Sequence, residues 1–242
     1  MEAGRRRDKE EDMKYIPNLD DPAGKALVII DMQIEDSPQG FWQAYNWNAT
    51  VANSQKVLNA CRNKAYPVVH LMVARRPDGV DCHPFDLRDE KGKPIYSVDG
   101  TENCQIVDAL KPLKDEIVVK KQRFSAFYQT NLSLILKGLN ATHLIMMGVF
   151  TDSCFLTSVY DAFTRHYTIS IVKDACTAGT KAAHMTSILD MANWIYGCSI
   201  FNADQIAKAI NGQNYKAWFW HQPNSTKYEI DTIEEMYSKL DE

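Results

Sequence analysis

The sequence predicts a single doubly wound α/β domain, and two features of its patterning support that prediction. Short, continuous apolar runs alternate with longer amphipathic stretches along the 242 residues. Strands that are apolar on both faces are typical of a parallel sheet, because helices cover such a sheet on both sides. The composition, 45% hydrophobic and 24% charged, is that of an ordinary globular chain long enough to bury a sizeable core.

The elements follow from these runs in order. Six short segments rich in β-branched and other apolar residues are the predicted strands, at 26–31, 67–73, 116–121, 143–149, 167–172 and 198–201. Helical patterns are predicted at about 51–64, 129–139, 152–165, 180–195 and 203–211. In the third of these, Phe155, Val159 and Phe163 recur at helical period and form one apolar stripe.

Two terminal segments and one long connection lie outside this alternation. Residues 1–20 are expected to form a flexible N-terminal extension, because the basic run 5–7 is followed at once by acidic residues. The domain is predicted to span 21–212, and 213–242 to form a C-terminal extension packed on the domain or on a neighbouring subunit. The segment 75–115, rich in Pro, Gly and Asp, has the length of a functional lid or insertion.

Charge and cysteine usage disfavour several classes of function. A net charge of -4 without a basic patch argues against nucleic acid as a partner. No run approaches the roughly 18 apolar residues that cross a bilayer, and the charged N-terminus lacks the apolar segment of a secretion signal. We therefore expect a cytoplasmic protein that binds no membrane and keeps its 6 cysteines reduced. A structural zinc site is not expected, since there is no CxxC pair.

The residues that close the predicted strands are candidate functional residues. In doubly wound sheets, ligands bind beyond the carboxyl ends of the strands. The first strand ends at Asp31, the third at Lys120 and Lys121, and the fourth runs into the turn before Cys154. Each of these residues alone is compatible with a solvated or structural role. Together, an acid, a base and a thiol are the components of an activated nucleophile.

Cys154 is the candidate nucleophile. Thr151, Asp152 or Ser153 can cap the following helix, which places Cys154 in its first turn. There the helix dipole and the free N–H groups favour a thiolate and can form an oxyanion hole. From position alone, a buried cysteine that packs as a small hydrophobic residue is the alternative interpretation.

At these positions the sequence resembles the isochorismatase-like cysteine hydrolases, a group that includes isochorismatases, nicotinamidases and N-carbamoylsarcosine amidohydrolases. Residues 26–33 are similar to the family's first strand, in which the aspartate is followed by Met-Gln. Residues 121–127 resemble its Lys-x-Arg-Tyr-Ser-x-Phe segment, a frame that selects Lys121 over Lys120. Residues 148–154 resemble its Gly-Val-x-Thr-x-x-Cys turn.

The resemblance, which extends from about residue 24 to residue 210, implies a Rossmann-like three-layer α/β/α fold with a six-stranded, mainly parallel sheet. It also implies a catalytic triad. In that triad Asp31 takes the thiol proton of Cys154 and later returns it to the leaving group, while Lys121 supports the thiolate and the aspartate. No cofactor is implied. Family members are commonly dimers or tetramers, so we expect a homodimer or homotetramer.

The resemblance further implies a non-proline cis peptide between Val149 and Phe150. The backbone N–H of Phe150 or of Thr151, together with that of Cys154, would then face the oxyanion.

Aromatic residues near these segments are candidate walls of a substrate pocket, although most aromatic side chains pack in cores or interfaces. Phe150 is the strongest candidate, since its turn also presents the nucleophile. Arg75 and Arg76 could pair with a substrate carboxylate, but we interpret both as solvated loop arginines. The other predicted substrate-binding residues are Gln33, Phe127 and Trp42.

The segment Asp81-Cys82-His83 looks similar to the metal-binding Asp-x-His of nicotinamidases. It lies well beyond the predicted end of the second strand, so we interpret it as a loop coincidence and predict no metal.

A thiol at position 154 favours covalent attack on a carbonyl. The sequence therefore predicts a hydrolase that cleaves the C–N bond of a small amide, ureide or carbamoyl compound through a thioester on Cys154. The second hypothesis is isochorismatase activity, which hydrolyses a vinyl ether to 2,3-dihydroxy-2,3-dihydrobenzoate and pyruvate. The third is a binding or regulatory homologue without turnover, since fold alone does not fix function.

Overall fold

A computed structural model describes residues 16–224 and 226–241. Its strands are β1 (Lys25–Ile30), β2 (Val68–Val73), β3 (Ile117–Lys121), β4 (His143–Val149), β5 (Thr168–Thr177), β6 (Ser199–Phe201) and β7 (Trp218–Phe219). Its α-helices are α1 (Trp47–Asn63), α2 (Leu132–Gly138), α3 (Cys154–Thr164), α4 (Lys181–Trp194), α5 (Ala203–Ile210) and α6 (Ile233–Ser238).

The strands form one sheet in the order β3-β2-β1-β4-β5-β6-β7. Every neighbouring pair is parallel except β6 and β7, which are antiparallel. The predicted α/β fold is confirmed, but the predicted number of six strands is one too few. The additional strand, β7, has two residues and comes from the C-terminal segment, where so short a run gives no strand pattern in the sequence.

The centre of the sheet determines where a ligand site is expected. All residues of β1 and of β4 are buried, as expected for strands covered on both faces. The chain runs outward from β1 to β2 and β3, then returns to β4 on the other side of β1. The carboxyl ends of β1 and β4 therefore form the switch point at which doubly wound folds bind ligands.

The segment 75–115 folds over this end of the sheet. Isolated bridges join Gln33 to Ile106 and Arg75 to Val98. The Arg75 N–H donates to Ser97 O at 2.7 Å, which brings the far part of the segment back beside β2. This long connection is therefore an ordered cover over the carboxyl ends of the strands.

The terminal segments contact the domain where they are described. Residues 1–15 of the predicted N-terminal extension lie outside the described residues, while Ile16 and Leu19 are buried in the core. In the C-terminal segment, Leu240 is buried and the Thr226 N–H donates to Asn193 Oδ1 at 2.6 Å. The domain boundaries stay predictions. Across residues 16–224 and 226–241, no helix combines the length and apolar character that crossing a membrane requires.

Candidate active site

Asp31, Lys121 and Cys154 meet at the switch point, although they come from three separate strand ends. Asp31 follows β1, Lys121 ends β3, and Cys154 begins α3 immediately after the turn that leaves β4. Lys121 Nζ lies 2.6 Å from Asp31 Oδ2 and 3.2 Å from Cys154 Sγ. Because β3 is two strands away from β1, roughly 10 Å at the usual spacing, only a long side chain can make this bridge.

The ammonium group of Lys121 is enclosed. Lys121 is 0% exposed and also donates to Arg123 O at 3.1 Å. Burial alone would lower the pKa of Lys121, but the charge of Asp31 and the hydrogen bonds to Asp31 and Cys154 outweigh it, so the pKa is raised and the side chain stays charged. Burial raises the pKa of Asp31, and the charge of Lys121 opposes that increase. The site is thus a buried ion pair in contact with a thiol.

The thiol itself is protonated in the free protein. Burial raises the pKa of Cys154 to about 12, although the charge of Lys121 acts in the opposite direction. Burial therefore opposes the preference for a thiolate that the helix terminus was expected to give. A protonated nucleophile needs a base when it reacts, and Asp31 is the carboxylate in contact with the same ammonium.

The turn before α3 presents two backbone donors. The peptide bond between Val149 and Phe150 is cis, where the family resemblance implies one. The Thr151 N–H donates to Thr177 O at 2.8 Å, so Thr151 is excluded as the second oxyanion donor. Among the described residues, the N–H groups of Phe150 and Cys154 have no acceptor. Of the three candidate N–H groups, those of Phe150, Thr151 and Cys154, these two are the ones left to bind an oxyanion.

A cavity of about 890 Å³ opens from the thiol and the aspartate. This volume falls in the range of small-molecule sites. The predicted residues Val149, Phe150 and Trp42 line it. Further aromatic walls of the cavity are Phe85, Tyr96, Phe124 and Tyr128.

Two predicted substrate-binding residues have other roles. Gln33 lines the cavity, but its amide donates to Val73 O at 3.0 Å and to Cys104 O at 2.7 Å and accepts from the Val73 N–H at 2.8 Å. Its polar atoms are therefore committed to holding β2 and the covering segment. Phe127 is buried away from the cavity, with its ring centroid 6.1 Å from that of Tyr167. The aromatic pattern could not show on which side of the backbone that ring packs.

Arg75 and Arg76 differ in burial. Arg76 is exposed and pairs with Asp78. Arg75 is 6% exposed and lines the cavity, so its interpretation as a solvated loop arginine is wrong. It binds Asp86 through Nε at 3.0 Å and Nη2 at 3.2 Å, and its guanidinium lies 4.3 Å from the centroid of the Tyr96 ring. Its Nη1 has no hydrogen-bond partner among the described residues.

Two acids that the sequence analysis missed, Glu35 and Asp36, also line the cavity and are buried. Burial raises the pKa of Glu35, whose carboxylate accepts from the N–H and hydroxyl of Ser97. Burial, with the charges of Glu35 and Asp31, raises the pKa of Asp36 well above its usual value. The available signal was two acids within five positions of the strand end that carries Asp31.

The side chains of Asp81 and His83 accept hydrogen bonds from backbone N–H groups of their own loop, and His83 also lines the cavity. The Asp81 carboxylate accepts from the Arg76 N–H at 3.0 and 3.1 Å, and His83 Nδ1 accepts from the Phe85 N–H at 3.2 Å. In the described part of the chain, no group of three His, Cys, Asp or Glu residues is placed to hold a metal ion. The absence of a metal stays a prediction.

Comparison with known proteins identifies the family. The isochorismatase domain model matches residues 25–200. The chain is a hydrolase of the isochorismatase family. It is 32% identical over 174 residues to a probable inactive nicotinamidase of Arabidopsis thaliana, covering 69% of this chain and 88% of that one. It is 28% identical over 173 residues to a ureidoacrylate amidohydrolase of Agrobacterium fabrum, covering 64% and 76%.

A solved isochorismatase family protein from Desulfovibrio vulgaris is similar to this family member with a TM-score of 0.70 and 28% identity. The match covers 78% of this chain and 98% of that one. The matched domain contains the cavity, with Asp31, Lys121 and Cys154, whereas β7 and α6 lie beyond it.

Proposed function

We propose that this hydrolase cleaves the C–N bond of a small amide, ureide or carbamoyl compound through a thioester on Cys154. One observation carries the proposal: a single buried ammonium contacts both a protonated thiol and the carboxylate that can deprotonate it. A nucleophile, its base and two oxyanion donors at one end of a cavity constitute the machinery of acyl transfer.

In the first half of the reaction, Cys154 Sγ attacks the carbonyl carbon while its proton passes to Asp31. The carbonyl oxygen becomes an oxyanion bound by the N–H groups of Phe150 and Cys154. When the C–N bond breaks, Asp31 returns the proton to the leaving nitrogen, which departs as ammonia or an amine. Lys121 remains charged throughout and stabilises the negative charge as it moves between carboxylate and sulfur.

In the second half, water attacks the thioester carbonyl as Asp31 takes its proton. The C–S bond then breaks, the carboxylic acid product forms, and the thiol of Cys154 is restored by the same proton. Both halves use the same oxyanion donors, so one rigid turn serves two steps.

Arg75 supports a substrate that carries a carboxylate. Its charge is neutralised by Asp86, whose pKa is brought to about 2 because the bonds from Arg75, Tyr96 and the His83 N–H outweigh burial. The Nη1 of Arg75 is buried without a partner among the described residues, and a carboxylate or carbonyl oxygen of the substrate would satisfy this donor. Burial raises the pKa of Asp36 well above its usual value, which favours the neutral carboxyl and so weakens repulsion of such an anion.

Isochorismatase activity is the second candidate. Protonation of a vinyl ether needs an acid, which the raised pKa of Asp31 would supply, but it does not need a thiol. A non-catalytic homologue is the third, and the Arabidopsis relative named as probably inactive keeps it open. The contact of Asp31, Lys121 and Cys154 argues for turnover in this chain, because a binding protein has no physical need for a buried charge pair against a thiol.

The test is ammonia release from a panel of small amides, ureides and nicotinamide, run beside isochorismate. Wild type, Cys154→Ala and Cys82→Ala are compared, the last as a control because Cys82 lies in the covering loop. We expect one C–N substrate to be hydrolysed, the activity to be lost only in Cys154→Ala, and EDTA to have no effect. Isochorismate turnover that survives in Cys154→Ala would overturn the proposal and make Asp31 the centre of the chemistry.

A further inference from the structure

A chain of hydrogen bonds links the C-terminal segment to the back of the nucleophile turn. The Tyr237 hydroxyl of α6 lies 2.9 Å from His184 Nε2, and His184 Nδ1 lies 2.9 Å from Thr151 Oγ1. Thr151 is fully buried and directly follows Phe150, whose carbonyl accepts the N–H groups of Ser153 and Phe155 at 3.0 Å each. This chain of hydrogen bonds therefore ends at Thr151, which lies between the oxyanion donor Phe150 and the start of α3.

Both ring nitrogens of His184 are hydrogen-bonded, one to the hydroxyl of Thr151 and the other to the hydroxyl of Tyr237. Burial, helped by the charge of Lys173, lowers the pKa of His184 to about 4, so the ring is neutral near pH 7 and carries one proton. One ring nitrogen then donates and the other accepts. If Tyr237 loses its hydroxyl, Nε2 loses its partner and nothing fixes which nitrogen faces Thr151.

The Tyr237 ring is held independently of its hydroxyl. Lys173 Nζ lies 4.1 Å from the ring centroid and 2.8 Å from Asp241 Oδ2. Lys181 of α4 pairs with Glu234 of α6 at 2.5 Å. A phenylalanine at position 237 would therefore keep the packing of α6 and remove only the hydrogen bond.

We propose that Tyr237 is a positioning residue for the nucleophile, acting through His184 and Thr151 on the turn 149–154. Tyr237 lies beyond residues 25–200, which match the family model, so part of the support for the nucleophile would come from a segment that the match does not include. This role of Tyr237 does not depend on which substrate is cleaved, because any carbonyl compound attacked by Cys154 would use the same turn.

The experiment compares Tyr237→Phe with Tyr228→Phe. Tyr228 is the matched control, because it lies in the same segment and its hydroxyl donates to Asp190 Oδ1 at 2.7 Å, away from His184. Two rates are measured: kcat with the substrate found in the panel, and alkylation of Cys154 by iodoacetamide, followed by peptide mass spectrometry. We expect Tyr237→Phe to lower both by about three- to ten-fold, the effect of one lost neutral hydrogen bond, with KM unchanged. Tyr228→Phe should change neither rate.

A double-mutant cycle tests the route. Thr151→Val removes the hydroxyl at nearly constant volume and should reproduce the loss, Thr151→Ser should retain the rate, and Tyr237→Phe should add nothing to Thr151→Val. Equal rates for Tyr237→Phe and Tyr228→Phe, or losses that simply add in the double variant, would overturn the proposal. If no panel compound is turned over, the alkylation rates still decide it, and only the proposed function fails.

Discussion

At the scale of single residues, Lys121 determines the electrostatics of the site. A fully buried ammonium is costly unless it is paired, and here its partners are the acid and the thiol of the proposed reaction. In the proposed reaction, transfer of the Cys154 proton to Asp31 accompanies attack on the substrate, because burial raises the pKa of the thiol. The reactivity of this thiol would then depend on a neighbouring base and not on a permanently lowered pKa.

Truncation of Phe127 should mainly reduce the stability of the fold, whereas truncation of Phe150 should mainly raise KM. Phe127→Ala removes a buried core ring and should reduce the free energy of unfolding by about 3–5 kcal/mol while leaving KM unchanged. Phe150→Ala removes a cavity wall and should raise KM with a smaller loss of stability. Urea denaturation and steady-state kinetics on both variants check this. A raised KM in folded Phe127→Ala would return that residue to the substrate site.

Arg75 should determine the preference for acidic substrates. We expect Arg75→Met to lower kcat/KM for a carboxylate-bearing substrate by about 10-fold or more, as for loss of a charged hydrogen bond, and to affect its neutral carboxamide analogue far less. Arg76→Met is the control, since Arg76 is exposed and pairs with Asp78. Equal losses on the acid and the amide would show that Arg75 only braces the covering loop through Asp86.

At the scale of elements, the contact between β1 and β4 places the acid beside the nucleophile turn. Gly148 of β4 pairs with Ile30 of β1, one residue before Asp31. Gly148 has φ +126°, and a Cβ there would lie 2.1 Å from Ile30 O. The approach of the two strands at the switch point therefore depends on this glycine.

Gly148→Ala should accordingly separate β1 from β4 and destabilise the fold by more than about 4 kcal/mol, an exceptional cost for one methyl group. Gly138→Ala is the control, because a Cβ at Gly138 meets nothing within 4 Å and alanine favours the helix. Urea midpoints and circular dichroism measure both. A urea midpoint equal to that of the wild type for Gly148→Ala would contradict the close approach of β4 to β1 at this glycine.

At the scale of the whole molecule, strand ends allowed the sheet and the meeting of an acid, a base and a thiol to be predicted, whereas the choice of Lys121 over Lys120 and the triad roles rested on the family resemblance. Strand ends are visible as the ends of apolar runs, and parallel strands bring their carboxyl ends to one edge. Arg75 was misjudged because its burial depends on the segment 75–115 folding back to place Asp86 and Tyr96 beside it. Tyr237 was missed for the same reason: its contact with His184 spans 53 positions and leaves no local pattern.

The central claim is that Cys154 forms a covalent acyl intermediate. The most direct test is intact-protein mass spectrometry of acid-quenched reactions with the C–N substrate found in the panel, at substrate excess. We predict a mass increase equal to the acyl group, located on the peptide that contains Cys154 and removed by hydroxylamine, with no adduct and no turnover in Cys154→Ala. Turnover by Cys154→Ala, or an adduct on another residue, would contradict the account.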